Sequence, residues 1–368
     1  MYNPQPGDSL DKLDTPAVLI DLNRMEANIE NMMSRFRSTR VRVRPHLKTT
    51  KSPELAHILM AAGAVGGCVS KVSEAEVMAA AGIEDLLITT EVVGPQKIAR
   101  LVALVSQHSD SKVVIDSKVG ASELDRALGE AGLSMPVLIE LNVGQNRCGV
   151  APGEEALELA QFIKTCKNLR LVGVQGYEGH LQHVPDPQER ARLCLEAMQR
   201  LAGTVKELRQ AGVTLDIVTT GGTGTADICA TCEEVTEVQP GSFIFMDTDY
   251  RNALGATSYS NALTILSTVI SHPTPTRAVI DAGLKSLSTD SGPAEPKGLP
   301  GVRYRPGGDE HGILEWDKEN QTRLEIGQRI EMIPSHIDTT INLHDYYYAH
   351  RNGRIEAIWP ISARGKVQ

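Results

Sequence analysis

The stretch Arg44-Pro45-His46-Leu47-Lys48-Thr49-Thr50-Lys51 holds the side chain with the most direct chemical potential, Lys48. A short β-branched run, Val41 to Arg44, precedes it and would deliver this lysine to the C-terminal end of a strand. A partly desolvated lysine amine sheds its charge, becomes a nucleophile and can form a Schiff base with an aldehyde. A second set is Thr220-Gly221-Gly222-Thr223-Gly224-Thr225, followed downstream by Gly241-Ser242. Glycines let backbone N–H groups approach an anion, threonine hydroxyls add donors, and a following helix offers its positive end, which suits a phosphate. A third set is Asn142–Gly149, containing Arg147, together with Tyr177-Glu178-Gly179-His180-Leu181-Gln182-His183. Arg147 could neutralise an anionic oxygen, while Tyr177 and His180 could flank a ring or exchange protons. The fourth is Pro334-Ser335-His336-Ile337-Asp338, followed by Asn342-Leu343-His344-Asp345. On an extended backbone His336 and Asp338 would point to one side and could grip a divalent ion through a nitrogen and an oxygen.

These residues need elements to hold them. Apolar, β-branched runs alternate with helical patterns from about residue 41 to 250. The strand candidates are 41–44, 65–70, 85–90, 112–116, 136–142, 170–177, 215–220 and 237–245. Amphipathic stretches at 73–81, 96–106, 121–131, 154–167 and 188–211 lie between them. Strict alternation implies parallel pairing with right-handed crossovers, and eight units favour a closed (β/α)8 barrel, an α/β fold. In such a barrel the chemistry sits at the C-terminal strand ends, and the seventh and eighth loops often hold phosphate. Lys48 follows strand one, Ser70 ends strand two, Tyr177 ends strand six, and the glycine loop follows strand seven. A lysine and a phosphate grip on this scaffold point to pyridoxal 5'-phosphate.

After Asn261 the texture changes. Runs at 262–271, 277–282, 329–334 and 354–359 read as strands without long helices between them, separated by Pro- and Gly-rich loops. The expected division is an N-terminal segment 1–22, a barrel 23–255 and a mainly β domain 256–368. The early strand 17–22 has no barrel partner in sequence and is expected to pair with the β domain.

Composition narrows the function classes. A net charge of −9 and the lack of any Lys/Arg block argue against a nucleic-acid partner. The longest apolar stretch, 58–69, is too short and glycine-rich to span a bilayer, and the first residues lack a signal-peptide pattern. A cytoplasmic location is therefore expected. The six cysteines form no disulfide framework; Cys229-Ala-Thr-Cys232 has redox-motif spacing but no partner pair, and is read as structural.

Together the motifs resemble the fold-type III pyridoxal-phosphate enzymes of the D-threonine aldolase and D-serine dehydratase group, relatives of alanine racemase. Glu91-Val92-Val93-Gly94-Pro95, Gly144–Gly149, Gln239–Asp247, Asp281-Ala282-Gly283-Leu284-Lys285, Glu310-His311-Gly312 and Ser335–Asp345 read like the D-threonine aldolase and 3-hydroxy-D-aspartate aldolase branch. The resemblance implies Lys48 rather than Lys51 as the Schiff-base lysine, and Arg147 on the cofactor's phenolic oxygen. It implies Gly221–Thr225 with Gly241-Ser242 on the phosphate, and Tyr250 in the pocket. His336 and Asp338 match the metal pair. Dehydratases of the group carry His-x-Cys there; Asp338 favours Mg2+ or Mn2+ over Zn2+. The branch commonly has a second histidine where this chain has Thr50. The implied activity is retro-aldol cleavage of a D-3-hydroxy amino acid, with His180 or His311 as candidate bases for the hydroxyl proton. A dehydratase using the same parts, or a non-catalytic pyridoxal-phosphate binder, are the alternatives. Relatives place the site where two subunits meet, so a homodimer is expected. Arg303, Arg305 and His311 are candidates for meeting a distal substrate carboxylate.

Overall fold

The computed structural model describes residues 2–255 and 259–368. The chain forms two compact units: Met1–Asn31 with Ser242–Gly365, and Met32–Gly241 with Lys366–Gln368. These limits differ from the sequence division at 22/23 and 255/256; the second of those adjoins residues 256–258, which lie outside the described residues.

Numbered along the chain, β1 (Ala17–Asp21) belongs to the first unit. The second unit contains β2 (Arg42–Val43), β3 (Gly67–Val69), β4 (Leu86–Ile88), β5 (Lys112–Ile115), β6 (Met135–Glu140), β7 (Leu169–Gln175), β8 (Ile217–Thr220) and β9 (Glu237–Val238). All eight pair in parallel, in the order β2-β9-β8-β7-β6-β5-β4-β3. Val65 N donates to Val43 O, Cys68 N donates to Pro45 O, and His46 bridges to Cys68, so the first and last strands of that order meet. Seven candidate barrel strands coincide with one of these within a few residues; the eighth, 237–245, is corrected to strand only at Glu237–Val238, since Ser242–Ile244 forms a 3-10 turn of the first unit. β3, β4 and β6 are buried along their whole length and mostly apolar, as expected of a sheet covered on both faces, whereas β2, β7 and β9 carry Arg42, Arg170 and Glu237. Cys68, Leu87, Val114, Leu138 and Val172 pack as one layer from β3 to β7, with Ile217 of β8 against it.

The connecting helices include Pro53–Ala61, Val72–Ala80, Pro95–Val105, Lys118–Glu130, Glu154–Ile163 and Pro187–Gln210. Three begin with proline, which lacks the N–H that a first-turn residue could not use. At the ring's closure the buried Arg44 donates to both Glu237 oxygens at 2.8 Å and to Asp85, clamping β2, β9 and the start of β4.

In the first unit, β1 pairs antiparallel with β10 (Leu263–Thr274) and parallel with β16 (Tyr346–Arg351). The remaining strands are β11 (Arg277–Ile280), β12 (Glu295–Pro296), β13 (Arg303–Pro306), β14 (Gly312–Glu315), β15 (Arg329–Ile333) and β17 (Arg354–Pro360). Four of these eight later strands (β12, β13, β14 and β16) have no counterpart among the runs read from sequence. They are short or polar, and their side chains alternate between buried and exposed rather than forming apolar runs. Among the described residues, no helix is long and apolar enough to cross a membrane.

Candidate active site

The lysine turn sits where the ring closes. Leu47–Thr49 forms one turn of 3-10 helix after His46, whose N–H donates to Pro240 O at 3.0 Å. Lys48 is half-buried. Its N–H faces His46 Nδ1 at 3.4 Å, while His46 Nε2 lies 3.1 Å from Thr89 Oγ1, so the neutral imidazole bridges two strand ends. Burial, then the charges of Lys48, Lys51 and Arg147, holds this imidazole well below its ordinary pKa. Lys51 is differently employed. It is buried in an ion pair with Glu74, whose other oxygen accepts from Ser70 N at 2.7 Å and Lys71 N at 3.3 Å. A lysine committed to a buried carboxylate makes a poor nucleophile, which argues against Lys51 in that role.

Arg147 is presented by a shaped loop. Asn142 Oδ1 accepts from Gly144 N at 3.1 Å and Asn146 N at 3.0 Å, turning the chain after β6. Gly149 returns it at φ +97°, where a Cβ would lie 2.7 Å from Asn142 N; only glycine closes this loop. The Arg147 guanidinium then stands 5.9 Å from the Tyr177 ring centroid, a contact that the sequence reading did not anticipate.

The glycine loop departs from expectation. The sequence makes the Thr220 and Thr225 hydroxyls donors to a ligand, but both point at Glu178, a fully buried carboxylate to which the sequence reading gives no role. Thr220 Oγ1 is 2.7 Å and Gly221 N is 3.2 Å from Glu178 Oε2; Thr225 Oγ1 is 2.5 Å from Oε1. Gly224 N donates to Gln182 Oε1 at 2.9 Å. The helix that follows, Ala226–Cys229, is a single turn and offers little dipole. Against this cluster, Cys229 Sγ lies 3.4 Å from Cys194 Sγ and pairs with that residue rather than with Cys232. Glu178, Cys194 and Cys229 approach closely enough to hold an ion. Yet the carboxylate is saturated with hydrogen bonds, and burial pushes the Cys229 thiol up, away from the thiolate a metal needs.

Deeper between the strand ends lies another polar row that sequence reading missed. Gln239 Nε2 donates to Thr219 Oγ1 and to Gln175 Oε1, both at 2.8 Å, and Gln175 Nε2 donates to Glu140 Oε2 at 2.6 Å. Burial and then the Glu91 charge push Glu140 up to about 8. Each of these side chains ends an ordinary hydrophobic strand, so alternation was the one available signal.

His180 lies in the single turn Gly179–Leu181 and is exposed; desolvation, with Arg200 nearby, lowers its pKa and favours neutral imidazole. Gly241 fits closely against the lysine turn: a Cβ there would lie 2.6 Å from Thr49 Oγ1. That hydroxyl is buried with no hydrogen-bond partner among the described residues. An amine, a cation beside an aromatic ring, a glycine-lined approach and an unsatisfied hydroxyl at the strand ends fit an anionic aldehyde cofactor.

The first unit holds the other candidates. Asp247 caps Thr248–Leu254: its Oδ1 accepts from Tyr250 N at 2.9 Å, and its Oδ2 accepts from Ile337 N at 3.2 Å. One carboxylate thus ties the Tyr250 turn to the His336 turn, and burial pushes it up to about 7. His336 itself is extended, but Ile337–Ile341 is helical, so the expectation of an extended His336–Asp338 pair is corrected. The cause is this cap, together with burial of Ile337, Thr340 and Ile341. His336 Nδ1 meets Asp290 Oδ2 at 2.6 Å, and Asp290 also accepts from Ser288 and Thr339 hydroxyls. Burial opposes these bonds, but they hold Asp290 down at about 2. A carboxylate on one imidazole nitrogen orients the other for a metal, and this donor set fits a divalent ion with mostly water in its sphere. Ser242 begins the buried turn Ser242–Ile244 of this unit. His311 is exposed beside β14, while Arg303 and Arg305 pair with Asp317 and Glu315.

Comparison with known proteins places the fold and the family. Residues 20–249 match the family model "Alanine racemase, N-terminal domain", and residues 262–350 match "Putative serine dehydratase domain". The chain is 40% identical to the D-threonine aldolase of an Arthrobacter species, over 98% of this chain and 95% of that protein. It is 36% identical to the 3-hydroxy-D-aspartate aldolase of Paracoccus denitrificans (strain Pd 1222), with the same coverage. The crystal structure of D-threonine aldolase from Filomicrobium marinum superimposes with a TM-score of 0.96 at 39% identity, covering 99% of this chain and 100% of that one. The chain belongs to the alanine racemase-like family in which that N-terminal domain is joined to a serine dehydratase-type domain.

Proposed function

We propose that the protein is a lyase that cleaves a D-3-hydroxy amino acid between Cα and Cβ by retro-aldol chemistry. The products would be glycine and an aldehyde: acetaldehyde from D-threonine, or glyoxylate from a 3-hydroxy-D-aspartate. The observation that carries this reading is His336 with Asp338 two residues on and Asp290 fixing the imidazole, in a chain that also presents Lys48 at a barrel strand end. Pyridoxal 5'-phosphate, when bound, supplies the electron sink for the pair of electrons left at Cα. A divalent ion, Mg2+ or Mn2+, would be held by His336 and Asp338 and lower the pKa of the substrate's β-hydroxyl.

The protein's own groups divide the remaining tasks. Lys48 provides the amine that attaches the cofactor, with its turn held by His46 and Pro240. Arg147, stacked by Tyr177, opposes the ring's phenolic oxygen. The phosphate is assigned to the glycine loop, Gly241 and Ser242, the cofactor also to Ser70 and Tyr250, and the hydroxyl proton to metal-bound water, His180 or His311. A homodimer in the cytoplasm completes the reading, on the pattern of similar enzymes.

Product identification tests it. Incubation with D-threonine and with a 3-hydroxy-D-aspartate should release glycine and the matching aldehyde. Ammonia with an oxo acid instead would make the protein a dehydratase, and no turnover of either substrate would sink the reading.

A further inference from the structure

Glu178 is the least expected group near the strand ends. It places a buried carboxylate directly beneath a loop assigned to bind an anion, an arrangement that electrostatics alone would disfavour. Its hydrogen bonds explain the placement. Oε2 accepts from Thr220 Oγ1 and Gly221 N, and Oε1 accepts from Thr225 Oγ1 and from Gln182 Nε2 at 3.1 Å. Gln182 Nε2 also donates to Thr225 Oγ1 at 2.7 Å, and Gln182 Oε1 takes Gly224 N. Thr225 Oγ1 in turn accepts from Gly222 N at 3.0 Å. Every donor of Gln182 and Thr225 has an acceptor, and each Glu178 oxygen has two donors.

We propose that Glu178, acting with Gln182, is the positioning residue that sets the shape of the Gly221–Thr225 loop for a phosphate monoester. The inference rests on the reading of that loop as the phosphate cradle. Gly221 at φ +76° can adopt several turns with little cost; two carboxylate oxygens spanning Thr220 to Thr225 select one of them. Gly221, Gly222 and Gly224 N–H all donate within this network, so what it fixes before any ligand arrives is the course of the chain, and binding needs less ordering. Gln182 fills the space beside Gly222, where a Cβ would lie 2.5 Å from Gln182 Oε1, so the pair fixes the loop sterically as well.

The test compares pyridoxal 5'-phosphate with pyridoxal, which lacks the phosphate, as ligands for the full-length apoprotein by absorption titration. Wild type should bind the phosphorylated aldehyde far more tightly. Glu178→Gln puts an amide where two donors expect an oxygen, and the preference should fall by about tenfold, the effect of one unsatisfied buried donor. Gln182→Met, which keeps volume but removes the acceptor for Gly224 N, should lower the preference in the same direction by less, and decides the matter if Glu178→Gln does not fold. Both variants should bind pyridoxal within about twofold of wild type. Lowered thermal stability with the preference intact would reduce Glu178 to a structural role and overturn the proposal. A wild type with no preference would instead sink the cradle reading on which it rests.

Discussion

The barrel's strand ends and the His336 corner of the other unit solve opposite problems. Around Glu178, Gln182 and Gln239 almost every polar atom is buried and satisfied by protein, giving a rigid receptacle with one assigned geometry. At His336 and Asp338, the residues proposed to hold the ion, the side chains are half-buried, and the imidazole is tethered to Asp290. A cofactor held covalently rewards pre-organisation. An ion that must also admit a substrate oxygen needs open positions. The two ligands should consequently respond differently to removal.

Truncating His336 or Asp338 to Ala offers the largest separation. Turnover should drop by more than about 100-fold, as expected when a metal's charge stabilisation is lost, while the cofactor's absorption band persists. Equal loss of the band would erase the contrast between the regions. Arg44→Met comes next and concerns the scaffold beneath the receptacle. It strands Glu237 without a cation in the ring closure and should lower unfolding free energy by about 3–5 kcal/mol in denaturant melts. A loss under about 1 kcal/mol would show that the closure does not depend on this clamp.

Glu140 sharpens the comparison through pH. Burial raises its folded-state pKa from 4.5 to about 8, with Glu91 and Asp116 adding to the shift and Arg147 opposing it. The folded protein thus keeps a proton that the unfolded chain has released. The stability this provides is complete below about 4.5 and is lost as pH rises through about 8. Glu140→Gln should flatten that decline, with a gain over wild type on the order of a few kcal/mol near pH 8 and little difference near pH 4.5. Parallel pH profiles would refute the assignment. Asp290→Asn is the mildest: metal affinity should fall by about 10- to 100-fold, with turnover restored at high Mn2+. Failure of added metal to restore it would assign Asp290 another task.

Much of this was legible because it rests on local signals. Eight apolar runs separated by amphipathic stretches reported eight parallel strands, and Lys48 and Tyr177 do stand just past strand ends. What escaped reading depended on contacts distant in sequence. Glu178 looks like any polar loop residue until Thr220 and Thr225, more than forty positions away, turn toward it. The helical turn at Ile337–Ile341 was hidden because its cap, Asp247, lies ninety residues upstream. β13 reads Arg-Tyr-Arg-Pro and β14 Gly-Ile-Leu-Glu, each too short to show a period, so their hairpin registers only once paired. Lys51 and Lys48 were distinguished in sequence only by resemblance; the ion pair of Lys51 with Glu74 is a contact that no local pattern announces.

The most direct measurement is to reconstitute the protein with pyridoxal 5'-phosphate, reduce it with borohydride and locate the modified lysine by peptide mass spectrometry. Modification at Lys48, abolished in Lys48→Ala and retained in Lys51→Ala, is the predicted result. Label on Lys51, or on no lysine of the 44–51 turn, would contradict the account at its centre.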